Sequence, residues 1–180
     1  MCMADYFLKS ERIGFSRWSE ADQERAWEVF GDPELTKFVG GPFTREQVRA
    51  ALAAQISSQN ARGIQYWPLF LLSTAEFMGC CGLKSRQQPE YYELGCYLKT
   101  GFQHKGYAAE ASRAVIAYGF ETLKARTLLA GHHPGNQASR ALVGKLGFSY
   151  IRDELYPPTG LKHALYRLNA RPAAPAPRQP

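Results

Sequence analysis

No apolar run in this sequence approaches the ~20 residues that a membrane-crossing helix needs. Lys9, Glu11 and Arg12 interrupt the first residues before the hydrophobic stretch of a secretory signal has formed. A soluble cytoplasmic protein with no membrane partner is expected. Cysteine is scarce: Cys2, Cys80, Cys81 and Cys96 form no CxxC pair and no disulfide-like spacing. Adjacent Cys80 and Cys81 face opposite sides of a strand and are badly placed to share a metal ion. They read as small buried apolar residues of a reducing compartment, and no metal is expected. Also missing is any block of consecutive Lys and Arg, although these outnumber Asp and Glu by 22 − 16 = 6. Net charge alone would permit nucleic-acid binding. Spread along the chain, the charge instead describes a solvated surface that helps an anionic cofactor, and no nucleic-acid partner is expected. Neither a GK[ST] phosphate loop nor a GxGxxG fingerprint is present.

What is present is enough apolar material for one core: 45% of 180 residues are hydrophobic, and no internal repeat divides them. Alternation over 12–18 predicts a half-buried strand. Ser19 then serves as an N-cap for a helix carrying Ala26, Trp27 and Phe30, which Asp32-Pro33 breaks. Thr44 and Gln47 have the spacing of a capping box, opening a second helix through about Ser58, with Gly63 closing the region. Strands are predicted over 67–73, 77–83 and 91–99, the first two as a hairpin.

Beyond them the period changes. Val115, Ile116, Gly119, Phe120 and Leu123 share one stripe of a helix over 106–123. A short strand over 127–130 follows. A helix then starts near Asn136, with Ala138, Ala141, Leu142 and Leu146 on one face and Gly147 at its end. Strands over 148–155 and 163–168 close the fold. Four prolines and three alanines make 171–180 an expected disordered tail, leaving 1–170 as the domain. Strand, two helices, three strands, helix, strand, helix, two strands is the order of a mixed sheet with helices on both faces.

Between the strand ending at Lys99 and the helix starting at Gly106 lies a short loop. A helix N-terminus offers unpaired N–H groups and a partial positive charge, and a small residue lets phosphate oxygens approach them. Gly106 and Ala108 suit that role, with Gln103 and Lys105 as side-chain donors. Taken by itself, Gly106 reads as a turn residue.

Gln103-His104-Lys105-Gly106-Tyr107-Ala108 resembles the Q/R-x-x-G-x-G/A motif of the GNAT N-acetyltransferase superfamily. Glu93-Leu94-Gly95-Cys96-Tyr97-Leu98 is similar to the strand before that motif. Asn136-Gln137-Ala138-Ser139, followed by Lys145-Leu146-Gly147-Phe148, resembles its downstream N-x-x-S…K-L-G-F signature. Ser139, the opening Ser10-Glu11-Arg12-Ile13 and Asp32-Pro33-Glu34 resemble the RimJ/RimL-like branch, and the likeness runs from Ser10 to Leu168.

The resemblance implies a single α/β (mixed α+β) domain whose mostly antiparallel sheet splays between its fourth and fifth main strands. The pantetheine arm of acetyl-CoA would lie there against backbone groups of Leu98 and Lys99. The amides of His104, Lys105, Gly106, Tyr107 and Ala108 would take the pyrophosphate, and Asn136 and Ser139 would reach the arm near its thioester. The implied function is direct N-acetyl transfer to a primary amine, on a small molecule or a protein N-terminus. The alternative is a CoA-binding sensor or partner module without turnover. Oligomeric state stays open between monomer and homodimer.

Transfer needs a base for the ammonium, a donor for the oxyanion and, for the leaving thiolate, a proton source. Glu93 is the candidate base, on one strand face with Tyr91, Gly95, Tyr97 and Lys99; its other reading is a salt-bridged carboxylate. His132 and His133 are either proton relays or locally bonded loop histidines. Val143 stands where many relatives carry an acidic tyrosine, leaving Ser139, a water or an unprotonated departure for the thiolate. Trp18, Trp27 and Trp67 read as core rather than as a binding platform. Of Tyr91 and Tyr92, one is expected to line the acceptor pocket and the other to pack.

Overall fold

The strand expected over 12–18 is shorter, and another short strand precedes it. In the computed structural model, which describes residues 5–170, β1 is Leu8–Lys9 and β2 is Ile13–Phe15, paired antiparallel. Beyond β2 the chain turns: Ser19 donates its amide and its hydroxyl to the Asp22 carboxylate at 2.9 and 2.6 Å. That closes a single 3₁₀ turn before α1, Gln23–Phe30. Asp32-Pro33 ends this helix by starting another. Asp32 accepts from the amides of Glu34 and Leu35, Pro33 supplies the first helical φ, and α2 runs Pro33–Thr36. The Thr44–Gln47 capping box forms as expected and opens α3, Arg45–Arg62, which ends at Gly63 with φ 69°.

The sheet follows the predicted order. Its remaining strands are β3 (Tyr66–Leu71), β4 (Phe77–Ser85), β5 (Tyr91–Leu98), β6 (Thr127–His132), β7 (Ser149–Tyr156) and β8 (Leu161–Asn169). Helices α4 (Tyr107–Glu121) and α5 (Gln137–Lys145) flank β6 in the chain. Strand order is β1-β2-β3-β4-β5-β6-β8-β7, and every pair is antiparallel except β5–β6. One apolar cluster joins Val29, Phe30, Val48 and Leu52 of α1 and α3 to Phe70, Phe77 and Cys80. The other joins Val115 of α4 and Val143 of α5 to Trp67, Met78, Cys81 and Leu128. Cys80 and Cys81 therefore bury on opposite faces, as their adjacency requires. Trp18 and Trp67 are core residues whose indole N–H groups donate to Tyr66 O and Gln59 Oε1, and Trp27 is half-buried.

Two details differ from the sequence reading. In α5 the inward stripe is Ser139, Leu142, Val143 and Leu146, and Ala138 and Ala141 face solvent. Alanine is a strong helix former that costs little when exposed, so its presence does not mark a buried face. In the β7–β8 hairpin, Tyr150 opposes Tyr166 and Arg152 opposes Leu165, leaving Ile151 as a one-residue bulge.

The start of α4 is tied to β2 across the sheet edge. Glu110 accepts from Ser10 Oγ, the Arg12 amide and Arg12 Nε, each at 2.7 Å. The Arg12 guanidinium lies over the Tyr107 ring and reaches Lys105 O at 3.4 Å. Although burial opposes it, the hydrogen bonds from Ser10 and Arg12 hold the Glu110 carboxyl below its ordinary value of 4.5.

Backbone crowding fixes the sign of two glycine substitutions. A Cβ at Gly82 would stand 1.9 Å from Gln65 O and 2.8 Å from Tyr66 Cα, so Gly82→Ala must force β3 from β4. It should cost on the order of 2–3 kcal/mol and lower Tm by roughly 5–10 °C. Gly144 in α5 has no atom within 4 Å of a built Cβ, and Gly144→Ala should add about 0.5–1 kcal/mol. Thermal unfolding of both variants checks the pair. Because the Glu110 pKa is lowered in the fold, its contribution is complete above the ordinary 4.5 and disappears as pH falls through the folded value. Glu110→Gln should therefore cost on the order of 1 kcal/mol at neutral pH, with the gap to wild type closing in acid denaturation curves below that point.

Candidate functional site

Pairing between β5 and β6 covers three residues: Tyr91 with Thr127, Tyr92 with Leu128 and Glu93 with Leu129. Beyond Glu93 the strands part, and the edges of 94–98 and 130–132 no longer bond each other. β5 keeps its full ladder with β4 through Leu98, and β6 keeps its ladder with β8 through His132. This is the splay expected between the fourth and fifth main strands, numbered one higher here because β1 precedes them. The resulting cleft has a volume of ≈ 190 Å³. Glu93, Gly95 and Tyr97 of β5, Gly131 of β6, and Asn136 and Ser139 of α5 are among its walls.

The C-terminal end of β5 continues into the helix tip. A single 3₁₀ turn, Thr100–Phe102, leads to His104 at φ 61° and Gly106 at φ 84°, and no side chain caps α4. Glu110 is the first residue to return a helical bond, its amide donating to Gly106 O. Among the described residues, the amides of His104 through Ala109 have no acceptor. His104, Lys105 and Gly106 are exposed, so nothing plugs the tip. Gly106 adopts a left-handed φ that disfavours a side chain. Such a row of free N–H groups at a positive helix end fits a diphosphate. The expected side-chain donors point elsewhere: Gln103 Nε2 donates to Leu98 O at 2.8 Å, and Lys105 Nζ to Gly101 O at 2.7 Å. The Lys99 ammonium pairs with Glu28. The first two contacts brace the loop, and the Leu98 carbonyl is already occupied.

Glu93 sits where the strands divide. Its Oε2 accepts from Arg86 at 3.0 Å and lies 3.4 Å from Lys84 Nζ. Its Oε1 lies 3.9 Å from where a Cβ on Gly131 would stand, so the missing side chain leaves room above that oxygen. The salt-bridged reading of Glu93 therefore describes Oε2, while Oε1 stands on the side of Gly131, another residue of the cleft wall. Arg86 also binds Glu154, whose second oxygen takes Arg152 at 2.6 Å. Burial opposes it, but hydrogen bonds from Arg86 and Arg152 hold the Glu154 carboxyl below its ordinary value.

The histidines divide by role. His132 is buried, its Nδ1 bonded to His133 O at 2.9 Å and its Nε2 to Tyr166 Oη at 3.2 Å. A carbonyl only accepts, so Nδ1 carries a proton. His133 Nδ1 accepts from the Gly135 amide, and its ring lies 4.9 Å from Phe38 and 5.3 Å from His163. His163 stacks on Tyr156 at 4.5 Å. Burial, reinforced by His133 and His132, pushes His163 below 6.5. Asn136 Oδ1 caps α5 by accepting from the Ser139 amide at 3.0 Å, leaving the Ser139 hydroxyl without a partner among the described residues. Val143 is 4% exposed in the core cluster.

Glu93, His132, His133, Asn136 and Ser139 thus come together around one cleft. Tyr92 packs into the core, and Tyr91 lines a groove beside the cleft. Sequence reasoning missed Phe38, Tyr156 and His163, which stand on a loop and on closing strands without a motif. Arg12 was legible only as part of the opening Ser10-Glu11-Arg12-Ile13. Among the described residues, no three His, Cys, Asp or Glu side chains are grouped to hold a metal, and no helix is long and apolar enough to cross a membrane.

Comparison with known proteins agrees with this geometry. The protein YkkB of Bacillus subtilis is 28% identical over 148 residues, 81% of this chain and 86% of its own length. The crystal structure of the acetyltransferase from Agrobacterium tumefaciens superposes with a TM-score of 0.76 at 26% identity, covering 94% of this chain and 98% of that one. RimL, the ribosomal L7/L12 alpha-N-protein acetyltransferase solved in complex with coenzyme A, shares the fold with a TM-score of 0.77 at 16% identity, over 92% and 98%. Residues 12–149 match the acetyltransferase (GNAT) domain, a span that holds the divided strands, the helix tip and α5, and the chain belongs to the GNAT acetyltransferase family.

Proposed function

We propose that this protein transfers the acetyl group of acetyl-CoA directly to a primary amine. The observation that carries this reading is the continuity between the β5–β6 cleft and the uncapped tip of α4. A strand gap suits an extended pantetheine arm, and free amides suit a diphosphate. In this reading the amides of His104 to Ala108 hold the pyrophosphate. The backbone beyond Glu93, through Leu98 and Lys99, borders the arm, and Asn136 and Ser139 border its thioester end. Acetyl-CoA supplies an acetyl group already activated as a thioester. Glu93 Oε1 takes the proton of the incoming ammonium, directly or through water, and the amide bond forms as the thiolate leaves. The Ser139 hydroxyl is the donor assigned to that thiolate, since Val143 has no proton to give. Ser139, the opening Ser10-Glu11-Arg12-Ile13 and Asp32-Pro33-Glu34 support placement in the RimJ/RimL-like branch. A cytoplasmic location fits the buried free thiols Cys80 and Cys81.

Titration calorimetry should show saturable acetyl-CoA binding. His104→Glu, which adds negative charge to an exposed position of the tip, should weaken it by tenfold or more. Binding that is absent, or indifferent to this substitution, contradicts the assignment of the loop. Glu93→Gln should reduce kcat with an accepted amine by about a hundredfold at every pH while leaving acetyl-CoA affinity within a factor of a few. Unchanged turnover across the pH range removes Glu93 from the chemistry.

A further inference from the structure

Beside the cleft, on the sheet face that bears Glu93, runs a second depression of ≈ 600 Å³. No helix residue lines it. Its walls are the β4–β5 turn and β7, and its floor is β6 and β8. The charged side chains around it are Lys84, Arg86, Arg152 and Arg167, against one carboxylate, Glu154. The two spaces adjoin, since Lys84, Arg86, Glu154 and Leu165 border both.

Strand register fixes how the charges face. Lys84 pairs with Glu93, Glu93 with Leu129, and Leu129 with Arg167, so these four side chains stand in one row on one face. Adjacent strands lie ~4.8 Å apart, which puts the Arg167 backbone roughly 10 Å from that of Glu93. The bulge at Ile151 brings Arg152 and Glu154 to the same face, opposite Leu165 and His163. Lys84 and Arg86 are spent on Glu93, and Arg86 and Arg152 on Glu154. Arg167 is exposed and has no carboxylate partner among the described residues. A row that begins at the candidate base therefore ends at an unneutralised guanidinium, a fork that matches carboxylate or phosphate oxygens.

Resting on the transfer reading above, we propose that the acceptor is a small amine carrying an anionic group, carboxylate or phosphate, a few bonds from its nitrogen. The anionic group seats against Arg167, and the amine reaches Glu93 Oε1 through the space that Gly131 leaves open. Arg167 acts here as a specificity-determining residue and takes no part in the proton transfer.

Matched amines test it: ethanolamine phosphate against ethanolamine, and amino acids against the amines formed by their decarboxylation. The anionic member of at least one pair should have a kcat/KM tenfold or more above its neutral partner. Arg167→Gln should collapse that preference through KM, and Arg167→Lys should restore part of it. Arg62→Gln, which removes the same charge from the far end of α3, should leave the preference intact and so exclude net-charge steering. Calorimetric titration of the preferred anionic amine should show binding to wild type that is lost in Arg167→Gln. Which pair discriminates tells phosphate from carboxylate. Equal use of neutral and anionic amines, or an Arg167→Gln defect of the same size on both, overturns the proposal while acetyl transfer stands. Use of acidic peptide N-termini with rejection of every small anion overturns it in favour of a protein acceptor. Absence of thioester consumption with every amine, in a protein that still binds acetyl-CoA, contradicts the transfer reading itself.

Discussion

Backbone N–H and C=O groups require partners, and the divergence of β5 from β6 leaves two facing edges that no longer bond each other. In a sheet that is otherwise antiparallel, this single parallel pair is bonded over three residues and then abandoned. The gap survives because both strands are held from outside, β5 by β4 and β6 by β8, and because α4 and α5 bury apolar faces beneath it. Every feature of the candidate site is placed by that opening. Glu93 stands at its apex, α5 brings Ser139 to its wall, and α4 starts where β5 runs out.

Much of this arrangement was readable from the chain. The Thr44–Gln47 capping box, the strand runs of β3 to β5 and the opposed Cys80 and Cys81 are local chemistry, and each formed where the sequence placed it. The helix tip was legible because Gly106 and Ala108 sit at a strand-to-helix change of period. What the sequence did not carry was side-chain destination. Gln103 and Lys105 look like phosphate donors by position, yet both bond backbone carbonyls a few residues away, a choice no periodicity encodes. Ala138 and Ala141 misled because alanine satisfies a helix equally well on either face. The Phe38–His133–His163–Tyr156 wall joins residues from a loop, the end of a strand and a hairpin; only the tertiary fold brings them together.

Electrostatics organise the two ends of the site differently. At the helix tip the positive character comes from backbone amides, and the nearest strong pair, Arg12 with Glu110, consumes its charge internally to hold α4 against β2. At the strand apex the charges are side chains in a chain of partners running from Lys84 through Glu93, Arg86 and Glu154 to Arg152. The first arrangement suits an invariant ligand, since the amides cannot be substituted away. The second depends wholly on side-chain identity and suits a variable one.

The bulge at Ile151 decides which half of β7 looks inward. Side chains alternate along a strand, so one supernumerary residue resets the phase of all that follow it, bringing Arg152, Glu154 and Tyr156 to the inner surface together. Loss or gain of a single codon at that point would exchange this whole set for its neighbours and leave the opening between β5 and β6 untouched. The side chains offered on this surface can thus change by insertion and deletion as well as by substitution, on a part of the sheet whose rearrangement spares the β5–β6 opening.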